Sequence, residues 1–360
     1  MGHGDWAPGS IWFYAPNKGA AIFYTIAFAS TGICHAYQSY HYKSWRLTGL
    51  FAFCGLLYTV GFIFRCLGAW DYDDLIKYIV SICLTFAAPP LNELANFYLL
   101  GRILYYIPYY SPIHPGRVLS TFAFLSAVVE SISGWGASYM ANQSLTPEQQ
   151  AIGYDLLRAA LIIQLGVIAL FLSLATYFYQ TCRRHGIRNN HNLNQVMINL
   201  YASNALILTR CIFRTVEFFQ TEHIDWEALA QDPTAVSPII RYEAFFYIFE
   251  ASLMLCNMIM FNIRHPRRWL PKSTKVYLAR DGVTEIMGPG YKQDRNFILT
   301  IIDPFDITSK ITGKDKTSRF WELDEHDSNN NQTAVHSEIP PIATGSSGQP
   351  AMAAKPEALV

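Results

Sequence analysis

Seven mostly apolar stretches, at residues 19–40, 47–69, 76–101, 118–140, 153–179, 195–219 and 239–263, leave this chain few folds to choose from. A helix needs about 20 residues to cross roughly 30 Å of hydrocarbon, and backbone groups in lipid must find their partners inside the protein. The expectation is an all-α membrane protein, a bundle of seven transmembrane helices. Composition agrees once it is read by region. Only 15% of the 360 residues are charged, against roughly 25% in an ordinary soluble domain. The mean hydropathy of +0.14 is low because a polar segment after residue 263 dilutes it. Pro89 and Pro90 lie inside the third stretch and are read as a kink, since neighbouring helices can satisfy the carbonyls they free.

Basic residues set the expected orientation. Lys43 and Arg46 follow the first stretch, Arg102 and Arg117 the third, Arg183, Arg184 and Arg188 the fifth, and Arg264, Arg267, Arg268, Lys272 and Lys275 the seventh. The opposite loops, 68–74 and 222–232, are acidic. The reading has a short N-terminus (1–18) outside, a seven-helix domain over 19–263 and a cytoplasmic tail over 264–360. Residues 1–18 have no basic start or apolar run of a signal peptide, so the first helix is expected to do the targeting. Asn142-Gln143-Ser144, a glycosylation acceptor at Asn142, falls in a loop placed outside, whereas Asn331-Gln332-Thr333 falls in the tail and is expected to stay unused. The tail is mixed to about 322, with one apolar run at 296–305, and reads as disordered from about 323.

Charges inside apolar stretches are costly and mark function or pairing. Arg210, Arg214 and Glu217 stand at i, i+4, i+7, on one helical face. With Arg65, Asp155, Arg158, Arg241 and Glu243 they are expected to form an ion-pair layer, or gate, in the outer half of the membrane. Deeper lie Glu93, Glu130 and Glu250, accompanied by Asn92, Asn96, Gln164 and Asn257. The three acids have no evident cationic partner at their depth, so either burial keeps them neutral or a cation visits them. Interhelical hydrogen bonding is the structural alternative for all of these groups. Candidate ligand contacts are Glu93, Asn96, Glu130, Gln164 and Glu250.

Other classes find little support. Net charge is zero and no basic surface emerges, so nucleic acid is not an expected partner. There is no GxxxxGK[ST] loop, no cofactor motif and no compact HxxxH or HExxH pair, and an enzyme is not expected. The seven cysteines fall mostly in apolar runs and read as packing residues. His114 and His265, each before a proline, are expected to be solvated, and Trp45, Trp70, Tyr105, Tyr106 and Trp269 to anchor at the membrane interface.

The run LTRCIFRTVEFFQ (208–220), followed by EAFFYIFE (243–250) and NIRHPRRWL (262–270), resembles the signature of the fungal RTA-like proteins, also called the lipid-translocating exporter family. APPLNELANFYLLGRIL (88–104) and GYDLLRAALIIQLG (153–166) are similar to family motifs in the third and fifth helices. The chain departs in the fourth helix. VVESISGWGASYMAN carries Glu130, Ser133, Gly134 and Gly136 where many members have an Asp, then a Gln and a glycine cluster, which marks a subgroup. The resemblance implies seven spans in a plasma or internal membrane, and movement of sphingoid long-chain bases or sterol-like amphiphiles linked to resistance against toxic compounds. Membrane lipids would then be the partners. Two functions are expected in order: a translocator that holds a cationic head group at Glu93, Glu130 and Glu250, and a seven-helix lipid receptor or stress sensor that signals through its loops and tail.

Overall fold

The computed structural model describes residues 10–12, 14–71, 73–142, 144–187, 190–221 and 237–288, together with 303 and 311. Six long helices come first: α1 (Lys18–His41), α2 (Trp45–Gly68), α3 (Leu75–Tyr106), α4 (Pro115–Ala141), α5 (Pro147–Arg184) and α6 (His191–Thr221). The seventh, α7, begins as one α-helical turn (Glu243–Phe246), passes through a π-helical stretch (Tyr247–Ser252) and continues as an α-helix (Leu253–Ile263). Among the described residues, seven helices are thus long and apolar enough to cross a membrane. They end alternately at an N-terminal rim, with Lys18, Gly68, Leu75, Ala141, Pro147, Thr221 and Glu243, and at a basic rim, with His41, Tyr106, Arg184 and Ile263.

Local chemistry explains several helix starts. Asp74 caps α3 by accepting from the amides of Ile76 (2.9 Å) and Lys77 (3.3 Å). Thr146 and Gln149 bond reciprocally around the start of α5, with Pro147 in the first turn. His114 and His265, expected to be solvated, are buried instead. Each accepts at Nδ1 from the amide two residues on, at 3.2 Å, and so caps the turn that its following proline begins. Tyr106 likewise departs from its expected role as an anchor, being 2% exposed, while Trp45 and Trp70 are exposed.

The helix order in space follows from close contacts. α1 packs on α2 and α7, α3 sits among α2, α4 and α6, and α4 leans mainly on α5. Where α1 crosses α2, Gly32 meets Gly55; where α4 crosses α5, Gly136 meets Gly153. Small residues at such crossings let backbones approach, which is how helices gain contact in lipid. α3 runs unbroken through Pro89 and Pro90. α2 supports it there: the Cys54 thiol donates to the Ala88 carbonyl at 3.2 Å, and a Cβ on Gly61 would lie 2.8 Å from Thr85 Oγ1.

Beyond α7 the chain folds back under the bundle, which hydropathy did not foretell. Strands β1 (Val276–Leu278) and β2 (Glu285–Met287) pair antiparallel, with Tyr277 opposite Ile286. Tyr277 and Leu278 are buried. Tyr106 Oη donates to Glu285 (2.9 Å), Asn190 Nδ2 to the Gly282 carbonyl (3.1 Å) and Arg102 to the Pro271 carbonyl (2.7 Å). Three-residue strands are too short to show periodicity, but Asp281-Gly282 was the signal available. Asp281 Oδ1 accepts from the amides of Val283 and Thr284, and Gly282 sits at φ +74°. Gly282→Val is therefore expected to cost about 1–2 kcal/mol and to speed amide exchange over 276–287 roughly tenfold. Unchanged exchange would mean that the turn does not hold the hairpin. The apolar run at 296–305, apart from Asp303, and the segment from 323 lie outside the described residues.

Candidate functional site

The charges within the bundle sort into pairs, and the pairing differs from the expected layer in one respect that matters. Arg65 on α2 binds Glu243 at 2.7 Å. It also donates to Tyr14 Oη (3.0 Å) and Tyr247 Oη (3.3 Å), and its guanidinium lies against the rings of Trp12 (4.5 Å) and Phe246 (4.1 Å). The Asn17 amide donates to the other Glu243 oxygen at 2.7 Å. This cluster locks the N-terminal rim of α1, α2 and α7. Arg158 pairs with Asp155 at 2.9 Å, and Arg214 with Glu217, both within one helix. Arg214 also covers the Phe86 ring at 4.1 Å, and Arg241 lies over Tyr242.

Arg210 does not join that rim. Its Nε donates to Glu250 Oε1 at 2.6 Å, with the two side chains 7% and 0% exposed. The expectation that all three deep acids lack a cation is thus corrected for Glu250, and the expected gate from the Arg210 face to Glu243 is replaced by two separate pairs. One cause is the π-helical stretch, which contains Glu250. An extra residue in a turn rotates the side chains beyond it, so counting at 3.6 residues per turn misplaces them.

Glu93 remains without a salt-bridge partner among the described residues. It is 2% exposed. Gln164 Nε2 donates to its Oε1 at 2.9 Å, and Cys211 Sγ lies 3.9 Å from the same oxygen. Glu130 is exposed, yet it interacts electrostatically with Glu93 and Arg210. Asn96 points elsewhere and exchanges hydrogen bonds with Ser203 on α6 at 2.8 and 3.1 Å.

Burial along the helices shows why an exposed acid can neighbour buried ones. Toward the basic rim the bundle is closed: Phe97, Phe122 and Phe171 meet with ring centroids 5.0–5.3 Å apart. On α5 the inward face carries Phe171, Ala175, Phe178 and Cys182, all buried. Two to four turns the other way, the same face carries Gln164, Leu161 and Leu157, all half-buried. α3 behaves alike. Leu100, Phe97 and Glu93 are buried, Phe86 and Ile82 half-buried, and Ile79 and Leu75 exposed. Among the described residues, α4 beyond Val129 and α5 before Ala160 contribute no large buried apolar side chain; they meet closely at Gly136 and Gly153, and α5 touches α6 there through Tyr154 on Phe218 and Arg158 over Phe219. The outer halves of α3, α4 and α5 are thus less covered than their inner halves, and an apolar cleft between α3, α4, α5 and α6, open toward the N-terminal rim, is the reading taken up below. Glu130 would stand at its side, and Glu93 with Gln164 would form its floor.

Of the candidate ligand contacts, Glu93 and Gln164 are bonded to each other, Glu250 is paired with Arg210 and Asn96 with Ser203; Cys54, Tyr58 and Cys211, buried in the same region, were not singled out in the sequence. Cys54, Tyr58 and Arg65 fall at i, i+4 and i+11 on α2, so helical spacing already put all three on one face. Asn142, the glycosylation acceptor, is exposed at the end of α4, where its Oδ1 accepts from the Ser144 amide.

Residues 51–273 match the family described as RTA1 like protein. A lipid-translocating exporter-like protein RTA1 from Leptosphaeria maculans is 40% identical over 81% of this chain and 58% of its own length. The chain thus spans somewhat over half of that relative. A probable lipid transporter, atnI, from Emericella nidulans is 24% identical over 73% of this chain and 69% of its own. Protoporphyrin uptake protein 1 from Saccharomyces cerevisiae is 24% identical over 70% and 91%. No solved structure matches the chain.

Proposed function

Since the chain belongs to the RTA1-like family of multi-pass membrane proteins, a family related to lipid transport, we propose that it is a non-enzymatic translocator of cationic amphiphiles. Sphingoid long-chain bases, an ammonium on an aliphatic tail, are the substrates that suit it best. In this reading the N-terminal rim faces outward, the basic rim faces the cytoplasm, and the plasma membrane is the site of action.

One observation carries the proposal. Glu93, with the neutral Gln164 as its hydrogen-bond donor, is a buried acid where the faces of α3 and α5 pass from buried to half-buried, and in this reading it forms the floor of the apolar cleft. A carboxyl at this depth can carry its charge only with a cation beside it, and an incoming ammonium supplies that cation while the tail lies along Leu157, Leu161 and Ile82. Glu130 is the first acid such a ligand meets from the side of the cleft.

The test is flux of fluorescent phytosphingosine in proteoliposomes that contain only this protein. Glu93→Gln keeps shape and hydrogen bonding but removes the charge. It is expected to lower flux at least tenfold without altering thermal unfolding, whereas Glu130→Gln raises the half-saturating concentration severalfold. Wild-type flux in Glu93→Gln would remove the amine site from the cleft. Saturable binding without flux in the wild type would favour the lipid-sensor reading. Truncation for a signalling test belongs after residue 288, because Tyr277 and Leu278 are part of the packed core.

A further inference from the structure

A second polar feature, on the far side of the deep acids from the cleft, plays no part in holding an amphiphile. α6 and α7 run antiparallel, and two contacts fix their register: Arg210 with Glu250, and Asn199 Nδ2 donating to the Arg264 carbonyl at 2.7 Å. Between them, that register sets Asn257 level with Ser203, which is bonded to Asn96 of α3. One turn nearer Glu250, Asn92 Nδ2 lies 3.7 Å from Met254 Sδ. Polar groups therefore recur at nearly every turn from Glu250 to Arg264, fourteen residues or about 21 Å of helix. Arg264 then reaches Gln195 at the basic rim.

From Glu250 to Asn199 this column is buried, and most of its levels hold an unmet hydrogen-bonding atom. Asn92, Asn96, Asn199, Glu250 and Asn257 are each 0% exposed, and Tyr58 also. Glu250 Oε2, Tyr58 Oη, Asn92 Oδ1, Asn199 Oδ1 and both amide atoms of Asn257 have no partner among the described residues. A buried polar atom left unpaired costs about 1–3 kcal/mol, and native proteins satisfy such atoms with internal water. A file of asparagines adds nothing to packing that leucine would not supply more cheaply. Its continuity from the carboxylates to one rim is the feature that calls for a use.

We propose that this asparagine-lined column between α3, α6 and α7 is hydrated and carries protons between the basic rim and Glu250 and Glu93, so that amphiphile movement is coupled to a proton. The proposal rests on the translocator reading for its substrate, not for its path. Glu93 lies 3.9 Å from Cys211 Sγ and interacts electrostatically with Arg210, the partner of Glu250, which joins it to the column, while the proposed cleft supplies its other access. When an ammonium arrives, the O–H bond of the protonated Glu93 carboxyl breaks. Its proton passes to water in the column, and the carboxylate keeps the ammonium as its counter-ion. When a proton from the cleft re-forms that O–H bond, the amphiphile leaves. No oxidation or reduction occurs, and each cycle of amphiphile binding and release at Glu93 moves one proton from the cleft to the column. The charged and titratable groups around this step are Arg210 and Cys211 from α6, Glu130 from α4, Glu250 from α7, and Tyr58 and Cys54 from α2. Gln164 from α5 is neutral, and α1 contributes His35, bonded to the Met258 carbonyl at 2.9 Å.

The experiment uses the full chain in proteoliposomes with pyranine inside, valinomycin and potassium clamping the potential, and fluorescent phytosphingosine as the probe. In the wild type, a pH step of one unit is expected to change amphiphile flux at least threefold, and an amphiphile gradient to shift pyranine fluorescence. Asn257→Leu is expected to remove both couplings while its thermal unfolding stays at or above the wild-type value, and Asn257→Asp to retain them. Flux that ignores pH, with no pyranine signal, overturns the proton path and leaves the translocator reading standing. Absent amphiphile flux together with a proton leak that Asn257→Leu abolishes supports the path and removes the translocator. Absence of both signals overturns both. Full coupling in Asn257→Leu overturns the column as the route.

Discussion

Arg210→Met is expected to destabilise the purified protein by about 3–5 kcal/mol, and adding Glu250→Met to recover most of that loss. The pair is nearly inaccessible, at 7% and 0% side-chain exposure, with 2.6 Å between Nε and Oε1. Removing only the guanidinium strands a carboxylate in apolar surroundings, and removing both exchanges an ion pair for two flexible apolar side chains of similar bulk. Thermal or denaturant unfolding in detergent, run as a double-mutant cycle, measures the coupling. A double variant no more stable than Arg210→Met would show that the two charges do not depend on each other. The double variant is also expected to be inactive in flux, because a repaired core no longer presents Glu250 to the column.

Gly55→Leu is expected to cost about 3 kcal/mol, at the upper end of overpacking penalties. A Cβ at this position would fall 2.7 Å from Gly32 Cα and 2.9 Å from Met258 Cε. The methionine end can swing aside. The Gly32 backbone cannot, so α1 must move off α2, and the Tyr24 and Phe28 rings packed on Tyr58 and Phe62 move with it. Gly166→Leu is the control, since a Cβ there meets nothing within 4 Å and helix propensity favours the change. Equal unfolding midpoints for the two variants would show that the α1 and α2 crossing is not a close contact.

Much of this protein was legible in its sequence because lipid removes alternatives. Stretches of apolar residues as long as the membrane is thick can only be helices, so seven spans and their approximate ends followed from length and hydropathy. The motifs around Arg210, Glu243 and Arg264 pointed to the family. Spacing also put Arg214 and Glu217 within reach of each other on one helix, since a pair three residues apart needs no tertiary information.

What sequence left undecided is who faces whom across helices. The counting that grouped Arg210 with the rim charges assumed a regular α-helix throughout, and the π-helical stretch at Tyr247–Ser252 carries Glu250 to Arg210 while Glu243 goes to Arg65. Burial of His265 against Tyr42, and of Tyr106 above a hairpin of three-residue strands, likewise depends on segments distant in the chain. The crossing of α4 and α5 is the clearest case. Nothing in the α4 or α5 sequence says that their outer halves cross each other closely; the meeting of Gly136 with Gly153 shows it only in the assembled bundle. Hydrophobicity, a property of single residues, determined the elements and their place in the membrane. The depth of a carboxylate, its partner and its access belong to pairs of residues, and only the assembled bundle brought those pairs together.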